Sequence, residues 1–324
     1  MKSVIRTLQL LVACTLFVSV QNTQAQAYPS NPIRIVVPFG PGSGADIIGR
    51  ILADTLSEQM SARVFVENRD GAGGSIGSTQ VASAAPDGYT LVLIPSSFTV
   101  SLLPTPPYDP VKDFAAISKV AALPLVVVSG ADAPYKNLTE LIAYARANPG
   151  KLSYATSGKG ASSHLEFELI KHRYKLDIPD VPYKSFGQAI TDTISGQVSF
   201  YFAALPATLP HIKSGRVRGI AMGGLQRSDQ APEVPTIAES LNLPGYEASV
   251  WYGVLAPAAT PRAIIAALDA QIATALKTPE VQQRLTKGGV FPAYAPADKF
   301  SALVAEETAK WRKLIDTLGL KVAK

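Results

Sequence analysis

The hydrophobic positions of this chain fall into two periods that alternate along its length. Ile33, Ile35, Val36 and Val37 form a short apolar run. It leads directly into Pro38-Phe39-Gly40-Pro41-Gly42-Ser43-Gly44-Ala45-Asp46. Ile47, Ile48, Ile51, Leu52, Thr55 and Leu56 then recur at helical spacing. Strand, glycine-rich turn and amphipathic helix together predict a βα unit. Such a turn presents backbone N–H groups at a helix N-terminus, which is an anion site ready to be used.

The pattern continues through the first half. Residues 63–66 read as a strand, Gly71-Ala72-Gly73-Gly74 as a second glycine-rich turn, 75–84 as a short helix and 90–94 as a third strand. Strands alternating with helices predict a mainly parallel sheet covered on both faces. Ligands of such sheets sit beyond the carboxyl ends of the strands. Both glycine-rich turns, and Ser96-Ser97 after the third strand, fall at that edge.

Residues 104–110 are proline-rich and predict an extended loop, after which an apolar strand begins at 125–128. The βα pattern then restarts, with a helix over 138–147, a strand near 152–155, the polar turn Thr156-Ser157-Gly158-Lys159-Gly160 and a helix from about Ser163. Ser163 with Glu166 fits a capping box. Residues 200–202, 218–221 and 250–255 read as further strands. From Pro261 onward the pattern is helical, with Ile264, Ile265, Leu268 and Ile272 on one face. The turn-bearing βα unit therefore occurs once in each half, facing a presumed cleft.

The length of 324 residues predicts about two domains. Residues 1–27 read as an export signal, with Lys2 and Arg6 at the start, an apolar core over 8–20 and the A-x-A site Ala25-Gln26-Ala27. A competing lipobox, Leu11-Val12-Ala13-Cys14, would anchor the chain at Cys14. Cleavage after Ala27 would remove the single cysteine and leave no disulfide, thiolate metal site or cysteine nucleophile. A disulfide-free exported chain suits a bacterial periplasm. Without Lys2 and Arg6 the balance is 28 basic against 25 acidic residues, with no basic cluster, so nucleic acid is not an expected partner.

Gly40-x-Gly42-x-x-Ala45 matches the dinucleotide fingerprint, with Glu67 at a distance suited to a ribose hydroxyl. Pro41 removes one donor from that turn, however, and an exported chain has little access to such a cofactor, so no cofactor is expected. His164, His172 and His211 have no metal-ligand spacing, and no metal is expected. His172, among Lys171, Arg173 and Lys175, reads as exposed. His211 reads as part of a short helix. A hydrolase using Ser163 and His164 is the enzymatic alternative, but the chain lacks a G-x-S-x-G elbow. Asp46 reads as the cap of the first helix and the organiser of the turn above it. Tyr183-Lys184 is a further candidate for the cleft wall. Two facing donor sets remain: Gly40 to Asp46 with Gly73, Gly74, Ser96 and Ser97, and Thr156 and Ser157 with Ser162, Ser163 and His164. Neither holds a nucleophile, base or metal cluster, so an anion with a carboxylate at each end suits them.

The strings Tyr28-Pro29-Ser30-Asn31-Pro32-Ile33-Arg34, Val66-Glu67-Asn68-Arg69, Ala85-Pro86-Asp87-Gly88-Tyr89-Thr90, Tyr108-Asp109-Pro110-Val111-Lys112-Asp113-Phe114, Ala147-Asn148-Pro149-Gly150-Lys151-Leu152, Val181-Pro182-Tyr183-Lys184 and Leu255-Ala256-Pro257 occur in order. The chain thereby resembles the extracytoplasmic solute receptors of tripartite tricarboxylate transporters, the Bug family. The resemblance implies an α/β fold of two lobes, each a mixed sheet flanked by helices, in the manner of a type II periplasmic binding protein. It implies lobes over 28–125 plus 251–324 and over 126–250, a monomer, a small carboxylate ligand captured by closure, and delivery to a membrane permease. A sensor that signals to a membrane receptor is the alternative. In this reading Phe39, Gly40, Pro41, Gly42, Ser43, Ala45, Asp46, Gly73, Ser96 and Ser97 hold one carboxylate. Thr156, Ser157, Ser162, Ser163, His164 and Ala203 meet the other end. Two departures stand out. Phe202-Ala203-Ala204 replaces the family's Phe-Asp-Asn, and Gly40-Pro41-Gly42-Ser43 replaces P-P-G-G. The alanines predict a less polar distal end of the site.

Overall fold

A computed structural model describes residues 28–100, 107–156, 158, 161–183 and 185–319. The expected leader over 1–27 with Cys14, residues 101–106 at the start of the proline-rich loop, Ser157, Lys159, Gly160 and Lys184 lie outside the described residues.

The first strands, β1 (Ile33–Val37), β2 (Val64–Asn68) and β3 (Thr90–Pro95), are parallel, and α1 (Gly44–Met60) and α2 (Ser75–Ala82) connect them. β1 is central, with Ile35 paired to Val66 on one side and to Leu91 on the other. That position buries both of its faces, which is why its sequence reads as a near-continuous apolar run. The long strand β4 (Phe114–Gly130) follows. Then come α3 (Leu138–Ala147), β5 (Tyr154–Thr156), α4 (Ser162–Tyr174), β6 (Asp180–Pro182), α5 (Phe186–Ile194), β7 (Phe200–Ala204), α6 (Leu205–Lys213), β8 (Val217–Met222) and α7 (Ile237–Leu241). The chain closes with β9 (Ser249–Pro257), α8 (Arg262–Lys277), α9 (Pro279–Lys287), β10 (Phe291–Ala295) and α10 (Ala297–Leu318).

The strand order is β2-β1-β3-β9-β4-β7-β5-β6. β9 lies between β3 and β4 and is antiparallel to both. β4 serves two sheets. Its first half pairs with β9 and the edge strand β10, and its second half with β7 and β8. Each sheet mixes parallel and antiparallel pairs, as the family resemblance implies. The mainly parallel sheet expected from the alternation holds only for β1–β3 and β5–β7, because β4 and β9 enter antiparallel to their neighbours. The two largest core clusters lie one on each sheet. One joins Ile48, Leu52, Leu93, Val254 and Leu268 beneath α1 and α8. The other joins Leu141, Tyr154, Phe167, Phe200 and Phe202 beneath α3 and α4. Leu123↔Val250 and Pro124↔Ser249 run side by side between them. Gly223 braces that passage: its N–H donates to the Leu125 carbonyl and its own carbonyl accepts from Ala248, both at 2.7 Å.

Three further expectations need correction. The strand expected from residue 125 starts at Phe114. Ser118 and Lys119 interrupt the apolar run there, but Ser118 is buried and its hydroxyl donates to Asp269 at 2.5 Å. The segment after Pro261 is not wholly helical, because β10 carries Pro292 as an edge strand, where a missing N–H is tolerated. The capping box is not formed. α4 begins one residue earlier, at Ser162, with Ala161 as its N-cap, and Glu166 points elsewhere.

Candidate ligand cleft

The turn after β1 is ordered from within. Ser43 is the N-cap of α1, its hydroxyl accepting from the Asp46 N–H at 3.2 Å. Asp46 therefore does not cap the helix as expected, but it does organise the turn. Its carboxylate accepts from the Gly42 N–H (2.9 Å), Asn68 Nδ2 (2.9 Å) and Arg50 Nε (3.0 Å). Burial works to raise its pKa, but the hydrogen bonds from Arg50, Gly42 and Asn68 outweigh it and hold the carboxyl below its usual range. With Asp46 only 3 % exposed and Gly42 already donating to it, neither is free to hold a ligand directly. The donors left over are the N–H groups of Gly44 and Ala45, which have no acceptor among the described residues. They sit at the positive end of a 17-residue helix.

The second glycine-rich turn packs against the first. A Cβ on Gly74 would lie 3.1 Å from the Phe39 ring, and Gly74 has a φ of +94° that favours glycine. Gly40 and Gly73 face open space, so the backbone there is accessible. Glu67, the residue placed for a ribose, is ion-paired with Arg34 (2.9 Å) and with Arg69.

From the other sheet, α4 brings Ser162 to the same edge. The Ser96 and Ser162 hydroxyls stand 3.2 Å apart. Thr156, at the end of β5, is buried and accepts from the Gly158 N–H at 3.0 Å, so it shapes the loop. Ser163 and His164 are buried in the first turn of α4. Adjacent helix positions do not face each other, which counts against a serine–histidine dyad. His172 is exposed, and His211 lies in α6, both as expected. Ala203, at 4 % exposure, belongs to the core cluster of Val126, Tyr201 and Leu205. The partly exposed side chain at the end of β7 is that of Ala204. The Tyr183 hydroxyl donates to Asp192 at 2.8 Å.

A second polar cluster lies behind α4. Glu166 accepts from Lys310 Nζ of α10 and from the Tyr246 hydroxyl, both at 3.1 Å. Glu307 accepts from Trp251 Nε1 at 2.9 Å. Leu165 packs with Trp311, Leu314 and Ile315 of α10 beside them. Burial pushes the Glu166 pKa up to about 7, Lys310 pulling against it, and burial raises Glu307 as well.

One residue escaped the sequence reading. Tyr252 of β9 pairs with Pro95 of β3, which places it beside the end of that strand. Its ring packs in the core under α1, and its hydroxyl lies 2.6 Å from the position of a Cβ on Gly44. Only the strand register reveals this, because Tyr252 lies far from the turn in sequence.

The family model for the tripartite tricarboxylate transporter family receptors, TctC, matches residues 48–320. The chain belongs to this family. The UPF0065 protein in the tcbD-tcbE intergenic region of Pseudomonas sp. (strain P51) is 38% identical over 312 residues, covering 95% of this chain and 93% of its own. Protein BugT of Bordetella pertussis is 37% identical over 302 residues, 92% of each. Among solved structures, the periplasmic binding protein BugD is 33% identical with a TM-score of 0.69, covering 91% of this chain and 99% of its own. An R. palustris protein with adipate is 31% identical, with a TM-score of 0.72 and coverage of 90% and 98%. MatC from Rhodopseudomonas palustris, with bound malate, is 30% identical, with a TM-score of 0.68 and coverage of 89% and 100%. These likenesses establish the periplasmic binding protein fold of the family. Among the described residues, no helix is long and apolar enough to cross a membrane, and no cluster of potential ligands could hold a metal ion.

Proposed function

We propose that this chain is a periplasmic receptor for a small organic carboxylate. Its lobes would comprise residues 28–125 plus 251–324 and residues 126–250, closing on the ligand and presenting it to a tripartite tricarboxylate-type permease. The observation that carries the reading is the meeting of two donor sets at one edge. The unpaired Gly44 and Ala45 N–H groups lie on one side, and Ser162 comes from the other, within 3.2 Å of Ser96. Donors without a nucleophile or metal cluster beside them suit capture of an anion rather than its conversion. The relatives solved with adipate and malate hold dicarboxylates, which supports this class of ligand. Residues 1–27 would direct export and be removed.

The test is a thermal-shift screen of the purified chain from residue 28 onward. A panel of mono-, di- and tricarboxylates, aromatic acids and amino acids would be compared. Ligand binding raises Tm by mass action. A shift confined to one carboxylate class is the expected result. No shift with any acid would overturn the reading.

A further inference from the structure

Tyr252 is a buried polar group whose hydroxyl no neighbour uses. The residue is 7 % exposed, and among the described residues its hydroxyl makes no hydrogen bond. Burial moves its pKa up to about 12, so the group remains a neutral O–H donor throughout the physiological range. The oxygen itself is not among the fully buried, unpartnered side-chain atoms of the described residues, so the packed ring carries its hydroxyl out to an accessible edge, where phenylalanine would offer no donor.

The location explains the hydroxyl. The Cα–Cβ direction of a helical residue tilts toward the helix N-terminus. Gly44 is the first residue of α1. An atom 2.6 Å from its Cβ position therefore stands at the open end of the helix, beside the unpaired N–H groups of Gly44 and Ala45. The ring is held there by packing in the core and by the pairing of Tyr252 with Pro95 and Ala121 on the two flanking strands. Gly44 is the residue that makes room for it, since any Cβ would collide with the hydroxyl. The nearby cation is committed elsewhere, because Arg50 is bound to Asp46 and Asn68. What remains is three neutral donors at the positive end of a helix dipole. That set matches a carboxylate, whose two oxygens accept several hydrogen bonds in a compact plane.

We propose that the Tyr252 hydroxyl is a third donor of the carboxylate subsite at the start of α1, binding the same ligand group as the Gly44 and Ala45 N–H groups. This rests on the receptor reading above and adds the side chain that the sequence motifs do not contain.

The test is calorimetric titration of the wild-type chain and of Tyr252→Phe with the strongest-shifting acid from a panel of succinate, malate, glutarate, adipate, benzoate and citrate. Phenylalanine keeps the ring and its packing, so the melting temperature without ligand should hold. Loss of one hydrogen bond to a charged group should raise Kd by roughly 10- to 100-fold. Gly44→Ala supplies an independent measurement. Its Cβ would displace the hydroxyl in the wild-type background, whereas in Tyr252→Phe the nearest remaining atom is the ring carbon Cζ, 3.2 Å away. Gly44→Ala should therefore weaken binding more in the wild type than in Tyr252→Phe. Unchanged affinity in Tyr252→Phe, or an equal loss from Gly44→Ala in both backgrounds, would overturn this assignment and leave the receptor reading standing. If none of the six acids binds, the acid found in the thermal-shift screen takes their place in the titration, and a wild-type chain that binds no acid in either set would overturn both.

Discussion

The hydroxyls of Ser96 and Ser162 lie 3.2 Å apart, although one follows β3 and the other opens α4 in the opposite half of the fold. The contact sits where the proposed lobes meet, so a bulky group there should hold them apart. Ser162→Trp should keep the chain folded while raising Kd for its acid by at least about tenfold, or ~1.4 kcal/mol. Small-angle scattering should show that the ligand-induced contraction of the wild type is absent from the variant. A full contraction in Ser162→Trp would show that closure does not bring these residues together.

Asp46 should be a stability residue with an acid signature. Its folded carboxyl titrates below the unfolded value, so its contribution is present above about pH 4 and lost as pH falls through the folded pKa. Asp46→Asn should destabilise by about 1–3 kcal/mol at neutral pH through the Arg50 and Gly42 bonds. Melting curves from pH 6 down to pH 2.5 should show the gap between wild type and variant closing.

Glu166 should act with the opposite sign. Its folded pKa of about 7 lies above the unfolded range near 4.3, so the native state binds the extra proton between those values. Stability from this group is complete below about pH 4 and is lost as pH rises toward 7. The groups facing it are Lys310, Glu307 and Tyr246. Glu166→Gln should flatten the fall of Tm between pH 4.5 and 7, leaving the smaller slope due to Glu307. An unchanged slope would place the titration elsewhere.

Gly223 should tolerate no side chain. A Cβ there would sit 2.1 Å from the Ala248 carbonyl oxygen and 3.0 Å from that of Leu125. Both are backbone atoms, so Gly223→Ala must part the two segments that run between the halves. A loss of about 1–3 kcal/mol or more in urea unfolding is expected.

Ligand preference follows from the end of β7. With alanines where the family pattern has an acidic residue and an amide, nothing at Ala203 or Ala204 can pair with an amino group. Succinate should therefore bind at least as tightly as aspartate in a calorimetric comparison. Much tighter aspartate binding would contradict a less polar distal end.

The parts legible in the sequence were those with local causes. The β1 run and the spacing of Ile47 to Leu56 mark a strand and a helix, and Leu138–Ala147 matches its predicted bounds. The turn glycines were legible for the same reason. What escaped notice depends on distant partners. Ser118 looks like a strand break until Asp269 is placed beside it, and Glu166 looks like a cap residue until Lys310 arrives from α10. Tyr252 joins the site only through its register with Pro95. Ala203 and Ala204 illustrate the same limit at smaller scale, because both faces of β7 are packed by core residues and only its last residue, Ala204, is partly open.

β9 has a consequence for the order of events in folding. It separates β3 from β4, two strands that are neighbours in the sequence but not in the sheet. A chain emerging from its N-terminus would carry β1 to β4 for over a third of its length with the central partner still missing. The first sheet can close only once residues 249–257 exist, which makes its assembly a late, long-range step and a slow one. A chain cut short before β9 would leave β3 and β4 with two unpaired edges, a template for association with other chains rather than a smaller version of the same fold.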